Sequence, residues 1–332
     1  MQKLLPLFSI ILLFMLSPSC KNESGAGSSN IGQTTVAQVA DIPRFNRDSA
    51  YNFIAKQVAF GPRVPGTDAH RACKEWMVGQ LTSYGASVQE QDFEATILSG
   101  DKVPGTNVFA QFNPESTRRL VFAAHWDSRP KADSPLSTER KDEPVLGADD
   151  GASGVGILLE IARLIGADTS LDLGIDLVFF DVEDAGESGG EGWALGSQYW
   201  SRNLPYGNVR PEYGVLLDMV GSKGARFARE VHSVNYAPAQ VEKIWRLARY
   251  MGYSNYFVNE RGGQITDDHF YVNTIAKIPM VDIINQDKST QTGFGPYWHT
   301  HNDNMNVIDK ATIRSVGKLI MELIYREDAG AI

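Results

Sequence analysis

At 332 residues, 42% of them hydrophobic, the chain has an ordinary globular balance and room for one large domain or two small ones. Its formal net charge of −9 argues against a general nucleic-acid-binding role, since phosphate backbones attract basic surfaces. It holds only two cysteines, Cys20 and Cys73, so a disulfide framework cannot be what holds it together.

The first residues do not read as fold. Lys3 precedes an apolar run, Leu4–Leu16, too short for a comfortable membrane span and of the size of a signal-peptide core. Ser17-Pro18-Ser19-Cys20 then resembles a bacterial lipoprotein cleavage site, with Leu16 one position further from the cysteine than usual and Pro18 atypical. The expectation is a signal peptide over 1–19, a lipid anchor on Cys20 and an exported, periplasm-facing protein. Ordinary secretory cleavage, with Cys20 removed or unmodified, is the plainer alternative. Residues 20–40, rich in Ser, Gly, Asn and Gln, read as a flexible tether, and 41–332 as one folded domain. With Cys20 lipidated no intrachain disulfide is left, and Cys73, at helical spacing from Ala69, Ala72, Trp76 and Met77, reads as a small buried hydrophobe.

In chain order, Asp48 is expected to cap a helix carrying Phe53, Ile54 and Val58, and Thr67 a second one running through Trp76 and Leu81. Leu120–Ala124, Asp176–Phe180, Gly214–Leu217 and Met280–Ile284 are short, nearly all-apolar runs, as expected of central strands covered on both faces. Between the first two, Ser153–Ile165 puts Val155, Leu158, Leu159 and Ala162 on one helical face. Pro238 suits a helix first turn ahead of Val241, Ile244, Trp245 and Ala248, and Asp309 is placed to cap a last helix with Ile313, Val316, Ile320 and Leu323. The pattern predicts a single α/β domain, a central mixed sheet with helices on both faces, and no linker that splits it.

The functional signal lies where these runs end. Leu120–Ala124 leads into His125 and Asp127, Asp176–Phe180 into Asp181, Glu183 and Asp184, and Gly214–Leu217 into Asp218. Ligands of open α/β sheets bind beyond the carboxyl ends of the strands, so three strands deliver carboxylates and a histidine to one edge. Asp149 and Asp150 open the helix after the first strand, close to that edge, and His299 arrives late in Trp298-His299-Thr300-His301. Such acids repel one another unless a cation joins them, and mixed Asp, Glu and His donors suit zinc. Taken singly, each motif has a bland reading: a core histidine, a solvated turn, an acid capping a helix. Their coincidence on one edge favours the metal.

The segments His125-Trp126-Asp127-Ser128, Gly147-Ala148-Asp149-Asp150-Gly151-Ala152-Ser153-Gly154, Phe179-Phe180-Asp181-Val182-Glu183-Asp184, Leu217-Asp218-Met219-Val220-Gly221 and Trp298-His299-Thr300 resemble, in order and spacing, the zinc aminopeptidase and glutaminyl cyclase superfamily. The resemblance covers nearly all of residues 45–325 and implies an aminopeptidase-like α/β domain. Carried over by position, it implies that Asp150, Asp184 and His299 are zinc ligands and Glu183 a general acid/base. Asp150 is preferred to Asp149 because the family ligand stands three residues before the serine of the Ser153-Gly154 pair. In di-zinc members the positions of His125 and Asp218 hold a second metal.

The cyclase branch is favoured by Asp267-Asp268 before His269, by Trp298 before His299, and by an insertion after Asp184 that carries Trp193. That branch implies one zinc per chain, Asp218 and Asp267 sharing protons with Glu183, a pocket built by Trp193, Ile265 and Trp298, and Asp127 orienting His125. Asp184 stands where both branches carry Glu, and a shorter carboxylate must sit closer to bind. The expected function is conversion of the N-terminal glutamine of peptides or proteins to pyroglutamate with release of ammonia, by a monomer that binds no nucleic acid. The alternatives are an exported di-zinc aminopeptidase and a non-catalytic binding protein on the same fold. His70 and His232 are expected to be structural or exposed, and His301 a weaker ligand candidate than His299.

Overall fold

The computed structural model describes residue 39 and residues 41–332, apart from 98–99 and 188–191. The expected signal peptide, Cys20 and nearly all of the tether lie outside the described residues. In chain order the elements are α1 (Arg47–Ala59), α2 (Asp68–Ser83), β1 (Ser87–Thr96), β2 (Lys102–Phe112), β3 (Arg119–His125), α3 (Ala152–Gly166), β4 (Gly174–Phe180), α4 (Leu195–Arg202), β5 (Tyr213–Asp218), β6 (Phe227–Arg229), α5 (Val231–Tyr236), α6 (Pro238–Tyr250), β7 (Phe257–Arg261), α7 (Asp268–Tyr271), β8 (Met280–Ile284) and α8 (Lys310–Asp328).

Six strands form one mixed sheet in the order β1-β2-β4-β3-β5-β8. β4, β3, β5 and β8 run parallel, and β2 and β1 extend the sheet antiparallel. The four apolar runs of the sequence are the four parallel strands. Alternate residues of each strand point to opposite faces. Leu120, Phe122 and Ala124 of β3 join one apolar cluster with α1, α2, α3, α6 and α8, while Val121 and Ala123 join a second with Trp200, Val272 and Ile278. Continuous hydrophobicity is therefore what a strand packed on both sides requires.

The helix starts follow local chemistry. Thr67 caps α2, Asp309 caps α8 and Pro238 opens α6. The first helix corrects the sequence expectation: Asn46, not Asp48, is its cap, its side chain accepting from the backbone N–H groups of Asp48 and Ser49. Asp48 sits in the first turn instead, where a negative charge complements the helix dipole. Cys73 is buried on α2 as a small hydrophobe. Gly154 lets α3 lie directly on β5, since a Cβ there would stand 2.2 Å from the carbonyl oxygen of Leu217. That contact brings the start of α3, with Asp149 and Asp150 just before it, to the carboxyl ends of β3 and β5.

Candidate active site

The carboxyl ends of β3, β4 and β5 deliver His125, Glu183, Asp184 and Asp218 to one place, and the loops before α3, α7 and α8 add Asp150, Asp267 and His299. Asp150, Asp184 and His299 each offer an atom within 4.8 Å of the others, and so do His125, Asp150 and Asp218. Asp150 is common to both groups: one oxygen lies 3.0 Å from His125 Nε2 and the other 3.5 Å from His299 Nε2. His299 Nε2 lies 3.0 Å from Asp184, and His125 Nε2 3.2 Å from Asp218.

The neighbouring acids have separate tasks. Asp149 accepts from the Tyr297 hydroxyl at 2.5 Å and from the Gly221 N–H at 2.7 Å, so both its oxygens are already engaged. Asp303 receives the N–H groups of Asp149 and Asp150 at 2.8 and 3.1 Å and so sets the turn that presents Asp150. Asp127 does more than face His125 Nδ1 at 3.4 Å: its two oxygens accept the N–H groups of Glu183 and Asp184, each at 3.1 Å. Left-handed backbone at Val182, Met219 and His299, with φ of 54°, 46° and 54°, aims the adjoining side chains inward. Strain of this kind costs about 1–3 kcal/mol per residue and persists where the surroundings over-determine it.

The residues present suit a metal. Asp184 is buried with no well-aligned donor to either oxygen, and His299 Nδ1 is likewise unsatisfied. Asp150, which faces His125 with one oxygen, converges with them, and two carboxylates and an imidazole form an N,O donor set of the kind zinc takes. Burial would depress His299, but the charges of Asp184 and Asp150 and its contact with Asp133 raise it to about 9. Burial pushes Glu183 well above the ordinary carboxyl range, His125 opposing and Asp267, Asp184 and Asp268 adding to the rise. Asp218 is pushed up to about 8, again by burial first, against its hydrogen bond to His125 and with Asp267 and Asp150 adding to it.

These groups floor a cavity of about 620 Å³ that reaches Glu183, Asp184, Asp218 and Asp267 and is walled by Trp193, Ile265, Tyr271, Phe294 and Trp298. The Trp298 ring stacks on His299 at 3.6 Å, Trp193 faces the same imidazole at 6.0 Å, and Phe294 leans on Trp298 at 4.9 Å. Asp267 is both a cap and a site residue. One oxygen accepts from the Asp268 N–H at 2.5 Å, while Oδ2 is buried without a partner. The other histidines are engaged elsewhere, His70 with Asp181 at 2.9 Å and His301 with the Arg140 carbonyl at 3.1 Å.

Several contributors escaped the sequence reading. Arg129 and Asp133 follow directly after the His125 segment, and Asp303 after the His299 segment, so their positions were the available signal. Asp282 hides inside an apolar strand. It is buried with both oxygens unsatisfied, 3.7 Å from His269 Nδ1, while His269 Nε2 pairs with Glu230 at 2.9 Å. Nothing local marked Tyr271 or Phe294 as pocket walls.

A mixed sheet that gathers carboxylates and imidazoles at the ends of its parallel strands, under an aromatic cavity, defines a metal-dependent enzyme with an aminopeptidase-like α/β fold. Residues 107–324 match the model of peptidase family M28, and the chain belongs to that family. It is similar to the solved structure of Tannerella forsythia glutaminyl cyclase, 50% identical with a TM-score of 0.82 over 85% of this chain and 99% of that one. It is likewise similar to a Zn-dependent exopeptidase from Parabacteroides distasonis, 46% identical with a TM-score of 0.83 over 86% and 99% of the two chains. Among curated proteins, the glutaminyl-peptide cyclotransferase of Drosophila melanogaster is 26% identical over 282 residues, 78% of this chain and 75% of its own.

Proposed function

We infer that the chain is a zinc-dependent glutaminyl-peptide cyclotransferase, converting the N-terminal glutamine of peptides or proteins to pyroglutamate with release of ammonia. The observation that carries this reading is the aromatic cavity, in which Trp193 and Trp298 flank His299 directly above Glu183 and the Asp150–Asp184–His299 group. The similarity to glutaminyl cyclases supports it. In this reading Asp150, Asp184 and His299 hold one zinc, which when bound polarises the side-chain carbonyl of glutamine.

The chain's own residues do the rest. Trp193, Ile265 and Trp298 hold the glutamine side chain folded back on its own α-amine, a near-attack arrangement that makes the reaction intramolecular. The amine nitrogen bonds to the side-chain amide carbon and the bond from that carbon to its amide nitrogen breaks. Glu183 takes the proton from the amine and returns it to the departing nitrogen, which leaves as ammonia. Asp267 raises the proton affinity of Glu183, and Asp218 shares the same network, so the proton is held until it is needed. The close aromatic walls restrict water, which would otherwise hydrolyse the amide.

Matched peptides beginning with glutamine and leucine test this directly. Pyroglutamyl product and ammonia from the first, with little free leucine from the second, are expected. Efficient leucine release without pyroglutamate overturns the reading in favour of the aminopeptidase. The His125–Asp150–Asp218 group keeps that second reading specific, because it retains the donors for another metal. Two stoichiometric zinc ions per chain on elemental analysis would support it.

We also propose that the enzyme is exported and anchored by a lipid on Cys20, on the strength of the Leu4–Leu16 run before it. Cys20→Ser should give an active, soluble exported form, and mass spectrometry showing an unmodified Cys20 in the mature protein contradicts the anchor.

A further inference from the structure

Arg129 is buried at 3% exposure, and its side chain is engaged on every side. Nε and Nη2 donate to the two oxygens of Asp133 at 3.0 and 2.6 Å, a bidentate pair. Nη1 donates to the backbone carbonyls of Asp184 at 2.8 Å and Gly186 at 2.5 Å. The flat face of the guanidinium lies 4.8 Å from the centre of the Trp193 ring. Asp133, held by that fork, sits 3.6 Å from His299 Nδ1, and Trp193 lies nearly parallel to the same imidazole, 16° between the planes. Arg129 thus touches the peptide unit that follows one proposed ligand, the carboxylate behind another, and a wall of the pocket.

We propose that Arg129 is a positioning residue that couples the metal ligands Asp184 and His299 to the pocket wall Trp193, so that one side chain sets both metal affinity and glutamine binding. Only a guanidinium fits the arrangement. Its planar fork meets a carboxylate with two parallel hydrogen bonds, a third nitrogen is left for the carbonyls, and its face is free for an aromatic ring. A lysine ammonium supplies the charge but neither the fork nor the face. The pocket half of the proposal rests on the cyclotransferase reading, whereas the metal half concerns this chain's residues alone.

The test is Arg129→Lys in the full chain, with its fold checked by circular dichroism. Zinc affinity is measured by competition with a chelator, with no substrate present. Loss of a residue that orients metal ligands weakens affinity about 10–100-fold, and a fall of at least about tenfold is expected. A value within about twofold of the parent overturns the metal half, because the orienting contact then contributes nothing. At saturating zinc, KM for a glutamine-initiated peptide should rise more than kcat falls. Combining Arg129→Lys with Trp193→Phe should add little to that rise, since both disturb one wall, and KM effects that simply multiply overturn the pocket half. If Arg129→Lys does not fold, Asp133→Asn, which removes the negative charge and one of the two acceptors and so breaks the bidentate pair, is judged by the same zinc threshold. Should the parent protein make no pyroglutamate at all, the function reading fails while the zinc measurement still decides the coupling.

Discussion

The carboxylate of Asp127, two residues beyond the end of β3's His125, accepts the backbone N–H of Glu183 at 3.1 Å. The proposed proton carrier is therefore fixed by its main chain, leaving its side chain to face the cavity with Oε2 at 4.0 Å from His125 Nδ1. Glu183→Gln keeps the size and the backbone anchor and removes the titrating group. Zinc content should match the parent while turnover of glutamine peptides falls about 100-fold or more. Turnover close to the parent's removes Glu183 from the proton path.

Metal removal should reveal the strength of the buried acids. Burial carries Asp218 from its ordinary 3.8 to about 8, and the charge of Asp184 with its neighbours carries His299 from 6.5 to about 9 against its own burial. A raised native value means the folded chain holds the proton more tightly than the unfolded one. The stability from Asp218 is complete below its unfolded value and is lost as pH rises through about 8, and that from His299 as pH rises through about 9. Asp150 and Asp133 are shifted downward and act oppositely, but only in the acid range. The metal-free protein should lose stability from about pH 5 to 9, whereas zinc, which binds the deprotonated ligands, stabilises more as pH rises. The gap in Tm between zinc-loaded and chelated protein should widen across that range. A constant gap would contradict it.

Gly151 joins backbone geometry to the site. It stands just before α3 with φ of 91°, and a Cβ there would lie 2.7 Å from the Asp127 carbonyl oxygen and 3.0 Å from the His125 ring. Gly151→Ala is expected to cost about 1–3 kcal/mol in denaturant unfolding, through a conformation that side chains rarely adopt. It should also weaken zinc binding by displacing the Asp150 turn. Unchanged stability and affinity would mean that the loop has an easy alternative path.

Trp298 supplies a ring stacked 3.6 Å from His299 and a wall of the cavity. Trp298→Ala should leave zinc in place and raise KM for glutamine peptides about tenfold, the scale of one aromatic contact, with Trp298→Phe recovering part of the loss. Zinc loss in the alanine variant would show instead that the ring holds His299 in its strained backbone.

Much of this protein was legible in its sequence because the relevant forces are local or periodic. β3, β4, β5 and β8 are buried on both faces, so each had to be a nearly all-apolar run, and Thr67, Pro238 and Asp309 open their helices through contacts within a few residues. The polar residues that end those runs stood out for the same reason, and the structure gathers Asp150, Asp184, His299, Glu183, Asp218 and Asp267 as neighbours. Other features depended on partners distant in the chain. β1 is a largely exposed edge strand whose polar residues carry little strand signal, and it is defined by pairing with β2. The cap of α1 differed because Asn46 and Asp48 are both good acceptors, and only the backbone path into the helix selected Asn46. Asp282 reads as an interruption in an apolar strand until His269 is folded against it. The link from Arg129 through Asp133 to His299 spans 170 residues, and the cavity walls come from the loops before α4, α7 and α8 and from α7 itself. Side-chain identity thus determined which chemistry was on offer, but which carboxylate faces a metal, which accepts a backbone N–H and which meets only another buried acid was decided by the direction each loop takes off the sheet.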